Sequence, residues 1–490
     1  MIRSEFPLRV FRQALLPALV VVLAGCSVPR PQPEAEMAAL APEGGWVTGG
    51  DPGPVADDWI GAFDDPVLES LVAEAQAANP DLARTAASLS GAIARARQAN
   101  ASLFPEVDAG AQAGQTRRFE LTENQRRLGV ERDETTLGVS LDLSWELDVW
   151  SRISDTAKGA ALSARASAAD YAFARQSLAA QVAKGWFQAI TAREQMRLDE
   201  AFVELFRESA RLARVRFEAG EVSAQDTHTA QADLANARRS AEASRYAARA
   251  AVRSLEALLG RYPADELQVA GSLDRRLPPV PAGLPSTVLE RRPDLVAAER
   301  RVAAAFRLAS AASAARLPRF SLGANLASTA ENFGDLFDGP GRLASIGIDL
   351  FQPLFDAGLR KARFEEAEAD QMAAVAAYKA TALAAFSEVE DKLALERSLL
   401  AQVKELAVAA ESFRKARELA EIRYKEGETG LTSFLDVQRE SLQARSALLS
   451  ARGRLLTNRV DLYLALGGNF EEGPIDDTPV PPPLPSQRKD

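Results

Sequence analysis

The chain of 490 residues holds one cysteine, one histidine and four methionines. A single cysteine permits no internal disulfide, and a single histidine builds no multi-histidine metal site, which excludes zinc hydrolases and most redox folds. No Gly-Lys dipeptide occurs, so there is no phosphate-binding P-loop. Beyond residue 25 no uncharged apolar run reaches the roughly 18 residues of a membrane-spanning helix, which excludes a helical transporter bundle. Positive charge is also in deficit: 58 Lys and Arg against 68 Asp and Glu leave a net charge of -10, the wrong sign for a nucleic-acid-binding face. What remains, 47% hydrophobic and 26% charged, is a chain that folds.

The N-terminus carries an address. Arg3, Arg9 and Arg12 precede an apolar stretch from Ala14 to Ala24, too short to span a bilayer and fitted to a signal peptide over residues 1–25. The stretch closes on Leu23-Ala24-Gly25-Cys26, small residues before a lone cysteine, similar to a bacterial lipobox. Cleavage before Cys26 and acylation of its sulfur and new amino group give two or three acyl chains, a stable anchor. Ser27 rather than Asp follows, which directs such a lipoprotein to the outer membrane. Residues 26–58, with Pro29, Pro31, Pro33, Pro42, Pro52 and Pro54, read as an extended or wrapping segment, and the proline-rich 469–490 as a disordered tail.

Between them the chain is written twice, over 59–272 and 273–468. Pro80-Asp81-Leu82 and Pro293-Asp294-Leu295 each open an alanine-rich helical run that closes on Phe104-Pro105 or Leu317-Pro318. Arg216-Phe217-Glu218-Ala219-Gly220-Glu221 matches Arg423-Tyr424-Lys425-Glu426-Gly427-Glu428, and the offset slips by six residues between the two matches.

Two periodicities alternate inside each copy. From Leu137 to Val149 the odd positions are apolar and the even ones small or polar, an alternation whose length suits a tilted strand crossing a bilayer. Phe320 to Leu326 and Ile346 to Leu350 alternate likewise, and a weaker run follows Pro105, giving two strands per copy. Four strands close no barrel alone, because bare edges in lipid leave backbone groups unsatisfied. The same alternation also fits a strand pair on a soluble sheet. Helical spacing without proline predicts one helix of about 68 residues from Arg152 to Ala219, about 100 Å long, and another from Leu359 to Glu426. Shorter helices are predicted over Pro80–Ser102, Val222–Gly260, Pro293–Arg316 and Thr432–Leu466. They must pack side by side, where alanine admits close approach. A solid helical bundle satisfies these helices too but leaves the strands without a role.

Leu23-Ala24-Gly25-Cys26, Trp145-Glu146-Leu147-Asp148-Val149-Trp150, Glu290-Arg291-Arg292-Pro293-Asp294-Leu295, Pro353-Leu354-Phe355-Asp356-Ala357-Gly358 and Arg423-Tyr424-Lys425-Glu426-Gly427 followed by Leu435-Asp436-Val437-Gln438-Arg439 stand in this order. The region 59–468 resembles the TolC-like outer-membrane efflux proteins in their lipidated form. The resemblance implies a mainly α fold with a membrane β-barrel: a homotrimer in which four strands per chain close a 12-stranded barrel and long antiparallel helices form a periplasmic tunnel. It implies as partners a periplasmic adaptor, an inner-membrane pump of the resistance-nodulation-division type and outer-membrane lipid. No cofactor is expected beyond the covalent lipid on Cys26.

Glycine supplies the left-handed conformation that the turns at Gly220 and Gly427 need. In the family these tips meet the adaptor, which makes Arg216, Gly220, Arg423, Gly427, Glu428 and Gly430 candidate contacts; plain helix capping is the competing reading. Asp436 stands where relatives carry a lumen-facing aspartate that constricts the tunnel, and three copies would form a negative ring. Ser433 replaces the second acidic residue of many relatives, and Asp226 is its counterpart in the first copy. These carboxylates also suit simple capping of helix starts. The function expected is a passive conduit without chemistry, since one histidine and an acylated cysteine offer no nucleophile and base. A structural envelope lipoprotein and a duct for protein secretion are the alternatives. Few methionines disfavour a soft-metal relay, so drugs, lipids or other small organics are the expected cargo.

Overall fold

The computed structural model describes residues 45–49, 53, 59–128, 132–275, 278–283, 285–338 and 341–468. The expected signal peptide, the Cys26 lipid site, most of segment 26–58 and the tail lie outside them. The chain divides into two compact units, one with residues 96–161 and 302–375, the other with 39–95, 162–301 and 376–468 among its residues.

The first unit is a four-stranded antiparallel sheet in the order β1-β2-β3-β4: β1 Glu106–Arg117, β2 Asp133–Leu147, β3 Arg319–Ala330 and β4 Arg342–Phe351. The expected strand pairs are there, with β2 starting earlier than the apolar alternation suggested. Phe104-Pro105 and Leu317-Pro318 stand just before β1 and β3, where proline ends a helix and an extended chain follows. The indole N–H of Trp145 donates to the Leu103 carbonyl at 3.0 Å and that of Trp150 to the Pro318 carbonyl at 2.7 Å, so both tryptophans brace these junctions.

The second unit is helical, and the helices of both units are numbered together. Counting elements along the chain, α1 is Pro66–Ala78, α2 Pro80–Ala101, α3 the short Glu123–Arg127 of the β1–β2 connection, α4 Arg152–Glu218 and α5 Ala224–Leu258. In the second copy α6 is Pro285–Arg291, α7 Pro293–Ala314, α8 the single turn Asp335–Asp338 between β3 and β4, α9 Leu359–Lys425 and α10 Leu431–Ala465. The duplication shows in matched lengths: 67 residues for α4 and α9, 35 for α5 and α10, 22 for α2 and α7. Helix ends fall one to three residues inside most of the expected bounds, because the last residues act as caps.

Tertiary choices pin this unit. Trp186 is fully buried and donates to Asp65 at 2.9 Å. Asp65 also caps α1 by accepting the Val67 and Leu68 N–H groups, each at 3.2 Å, and pairs with Arg275 at 2.7 Å. Trp59 stacks on Tyr463 and Phe63 packs on Phe187, with ring centroids 6.0 and 5.1 Å apart. Nearby, Glu396 pairs with Arg459 and accepts from Asn458 at 3.0 Å, a buried ion pair with both partners satisfied. Asp461 sits between Lys184 at 2.7 Å and Lys392 at 2.8 Å. Trp46 is buried against Phe386 and donates to the Ala282 carbonyl at 3.0 Å, while Glu390 accepts the Val47 and Thr48 N–H groups. That short stretch of the proline-rich leader is therefore fastened to the helices.

Candidate functional site

Two places hold the residues singled out above: the helix-turn tips and the strand wall. At the first tip the chain leaves α4 and turns at Gly220, whose φ is +74°. The Glu221 N–H returns to the Arg216 carbonyl at 2.8 Å and the Gly220 N–H to Phe217 at 3.0 Å, a Schellman cap. The second tip repeats it at Gly427, φ +77°, with Glu428 returning to Arg423 at 2.9 Å and Gly427 to Tyr424 at 3.2 Å. A side chain at either glycine would meet no neighbour, so conformation alone, not space, requires glycine there.

The helices that leave the two tips start differently. Ser223 and Asp226 form a reciprocal capping box at the start of α5, the Ser223 hydroxyl accepting the Asp226 N–H at 3.1 Å and the Asp226 carboxylate accepting the Ser223 N–H at 3.0 Å. Gly430 caps α10 with no side-chain bond, and Ser433 stands where Asp226 does in the first copy. Asp226 is thus engaged in its own helix start. Asp436 lies on the second turn of α10, half exposed, with Arg439 2.9 Å away, and Arg439 reaches Asp233 of α5 at 3.5 Å.

The tips are tied to each other by contacts that cross the duplication. Arg216 donates to the Lys425 carbonyl at 3.0 Å and lies 4.5 Å over the Tyr424 ring, which stacks on Phe434 with centroids 5.2 Å apart. Tyr424 is fully buried; burial pushes its phenol up while the Arg216 guanidinium pulls it down. Arg216 is held mostly inside this stack, whereas Arg423 and Glu428 are exposed and 4.0 Å apart. A charged row along α9 leads to the same end: Arg414 bonds Glu411 at 2.7 Å and Glu418 at 2.6 Å, and Lys425 bonds Glu421 at 2.8 Å. Arg414 holds the Glu411 carboxyl down at about 2. The pairing of Arg216 with Tyr424 and Phe434, and of Arg439 with Asp233, escaped the sequence reading because residues hundreds of positions apart carry no shared local pattern. His228 is an ordinary exposed position on α5.

The strand wall has two faces. Val107, Leu143, Ala324 and Ile346 lie in one cross-strand row of the apolar face; Asp108, Asp142, Asn325 and Ser345 form a row of the polar face. On the polar face Asp142 accepts from Asn325 at 2.6 Å and from Ser140 at 2.8 Å. Ile346 and Ile348 are 77% and 69% exposed, and every residue of β1 and β4 is exposed. Among the described residues no helix is long and apolar enough to cross a membrane, and no group of three or more His, Cys, Asp or Glu is arranged to hold a metal ion.

The chain combines an amphipathic antiparallel sheet, its two edges unpaired among the described residues, with two long helical hairpins, and in a membrane wall such a sheet must be completed by further strands. The outer membrane efflux protein family model matches residues 71–261 and 284–468, and the chain belongs to that family. It is 32% identical over 464 residues to the pyoverdine export outer membrane protein OpmQ of Pseudomonas putida, covering 93% of this chain and 97% of the relative. It is 34% identical over 468 residues to the probable efflux pump outer membrane protein TtgC of Pseudomonas putida, covering 92% and 94%. The CmeC outer membrane channel of Campylobacter jejuni shares the fold, with a TM-score of 0.82, 24% identity, and coverage of 87% of this chain and 91% of that one.

Proposed function

We propose that the chain is the outer-membrane duct of a tripartite efflux system: a homotrimer whose twelve strands close a barrel in the outer membrane and whose helical hairpins form a periplasmic tunnel. The observation that carries this reading is the strand wall. Its exposed apolar face suits lipid, its polar face suits a water-filled lumen, and its open edges need strands from other copies. The duct does no chemistry and takes its energy from an inner-membrane pump of the resistance-nodulation-division type. A periplasmic adaptor meets the tips, where Arg423, Gly427, Glu428 and Gly430 present more surface than Arg216, with Gly220 at the neighbouring turn. Asp436 lines the constriction, with Arg439 moderating its charge; Ser433 and Asp226 flank it. Cys26 carries the lipid that holds each chain to the membrane. The two repeats are 59–272 and 273–468, and both family matches fall inside those bounds.

The cargo is a small organic molecule selected by the pump. In cells lacking this protein and holding a matched pump and adaptor, the wild-type chain should lower the steady-state accumulation of a fluorescent dye. Gly427→Leu should not, while reaching the membrane in equal amount. Dye accumulation unchanged by the wild-type chain contradicts the efflux reading.

A further inference from the structure

The wall is built by duplication, and the duplication dictates how one copy joins the next. Glu106 faces Ser144 in the β1–β2 ladder and Arg319 faces Phe351 in the β3–β4 ladder. β1 positions correspond to β3 positions 213 residues on, and β2 positions to β4 positions 207 residues on, and the two ladders then coincide residue for residue. Side chains obey the same offsets. Trp145 donates to the Leu103 carbonyl at 3.0 Å, and Gln352, its counterpart, donates to the Arg316 carbonyl at 3.3 Å, the counterpart of Leu103. Ser151 and Gly358, again 207 apart, both have positive φ.

Inside the chain the first copy meets the second where β2 pairs with β3, Leu143 facing Ala324 and Asp142 facing Asn325. The equivalent junction for β4 is a β1, and the chain's own β1 lies at the opposite edge of the sheet. Resting on the assembly described under the proposed function, we propose that β4 pairs with β1 of the next subunit in the register of the β2–β3 ladder. That register sets Leu350 opposite Ala111, Phe351 opposite Gly110, Asp349 opposite Gln112, Ile348 opposite Ala113 and Gly347 opposite Gly114 of the next subunit.

The chemistry of the transferred pairs agrees with this register without having been used to choose it. On the lipid side Leu350 and Ile348 meet alanines, and Ile346 meets Gln115 nearer the far end of the strand. On the polar side Asp349 meets the amide of Gln112, which repeats the carboxylate–amide pair that Asp142 and Asn325 make at 2.6 Å in the ladder already present. The Phe351 ring faces a glycine that offers no side chain to oppose it. A one-residue slip turns every side chain to the wrong face. A two-residue slip either way sets Asp349 opposite Gly110 or Gly114, and the amide partner is lost.

Directly opposed residues in an antiparallel pair have Cβ atoms about 4.5–5.5 Å apart, within reach of a disulfide after small adjustment. In outer membranes treated with a mild oxidant, the Leu350→Cys/Ala111→Cys variant should run on non-reducing gels as reductant-sensitive dimers and trimers. Leu350→Cys paired with Ala109→Cys or Ala113→Cys should stay mostly monomeric, as should each single variant, which also controls for Cys26. Gly347→Cys/Gly114→Cys, on the polar face where neither glycine has a neighbour within 4 Å, reads the same register should the first pair fail to fold. Stronger cross-linking with Ala109→Cys or Ala113→Cys in a protein that is trimeric on native gels overturns the register and leaves the trimer standing. A wild-type protein that is monomeric on native gels overturns the trimer itself.

Discussion

Tyr424 shows what a residue does that its local sequence does not reveal. Its ring lies between the Arg216 guanidinium and Phe434, so one side chain joins the end of the first hairpin to the start of the last helix. Tyr424→Ala should destabilise the tips by about 3–5 kcal/mol, as for a buried aromatic, and loosen the helix ends measured by hydrogen exchange. Asp461 gives a pH dependence of defined sign. Burial raises its carboxyl, but hydrogen bonds from Lys184 and Lys392 outweigh burial and hold it below its ordinary 3.8. A group depressed in the folded state contributes stability above its unfolded value and loses it as pH falls through its folded value. The melting-temperature advantage of wild type over Asp461→Asn should therefore be full at pH 6 and shrink progressively below about pH 4. An advantage that grows on acidification contradicts this assignment. At the proposed constriction, Asp436→Ala should weaken block of single-channel conductance by a multivalent cation and Arg439→Ala should strengthen it, since Arg439 sits 2.9 Å from the carboxylate. Block unaltered in Asp436→Ala removes the carboxylate from the constriction.

Elements differ in how openly the sequence announces them. The strands were legible because one face meets an apolar medium and the other water, which writes period two into Leu137 to Leu147 with few exceptions. The long helices were legible because nothing between Arg152 and Glu218 interrupts them, and the tip turns because Gly220 and Gly427 recur in matched contexts. The helix Pro66–Ala78 was not read. Its start depends on Asp65, which is committed at once to the cap, to Trp186 and to Arg275, partners 121 and 210 residues away. The tips show the same division: their backbone form follows from local residues, their cross-ties from pairings that only packing decides. The capping asymmetry is an element-level consequence. Ser223→Ala removes the box at α5 and should cost about 1 kcal/mol of local stability, whereas Gly430→Ala removes no side-chain bond at α10. Equal losses in hydrogen exchange at the two helix starts contradict that difference.

At the scale of the whole molecule, a sheet with one apolar and one polar face and two unpaired edges is an unfinished object in a membrane. In the proposed trimer three copies finish it, and the helical hairpins enclose a passage that needs no catalytic residue. The measurement that tests this most directly is electron cryomicroscopy of the detergent-extracted full-length protein, recording subunit number and the presence of a central passage together. The account predicts a threefold particle with a continuous lumen through the strand and helical regions. A monomer, or an assembly filled along its axis, contradicts it.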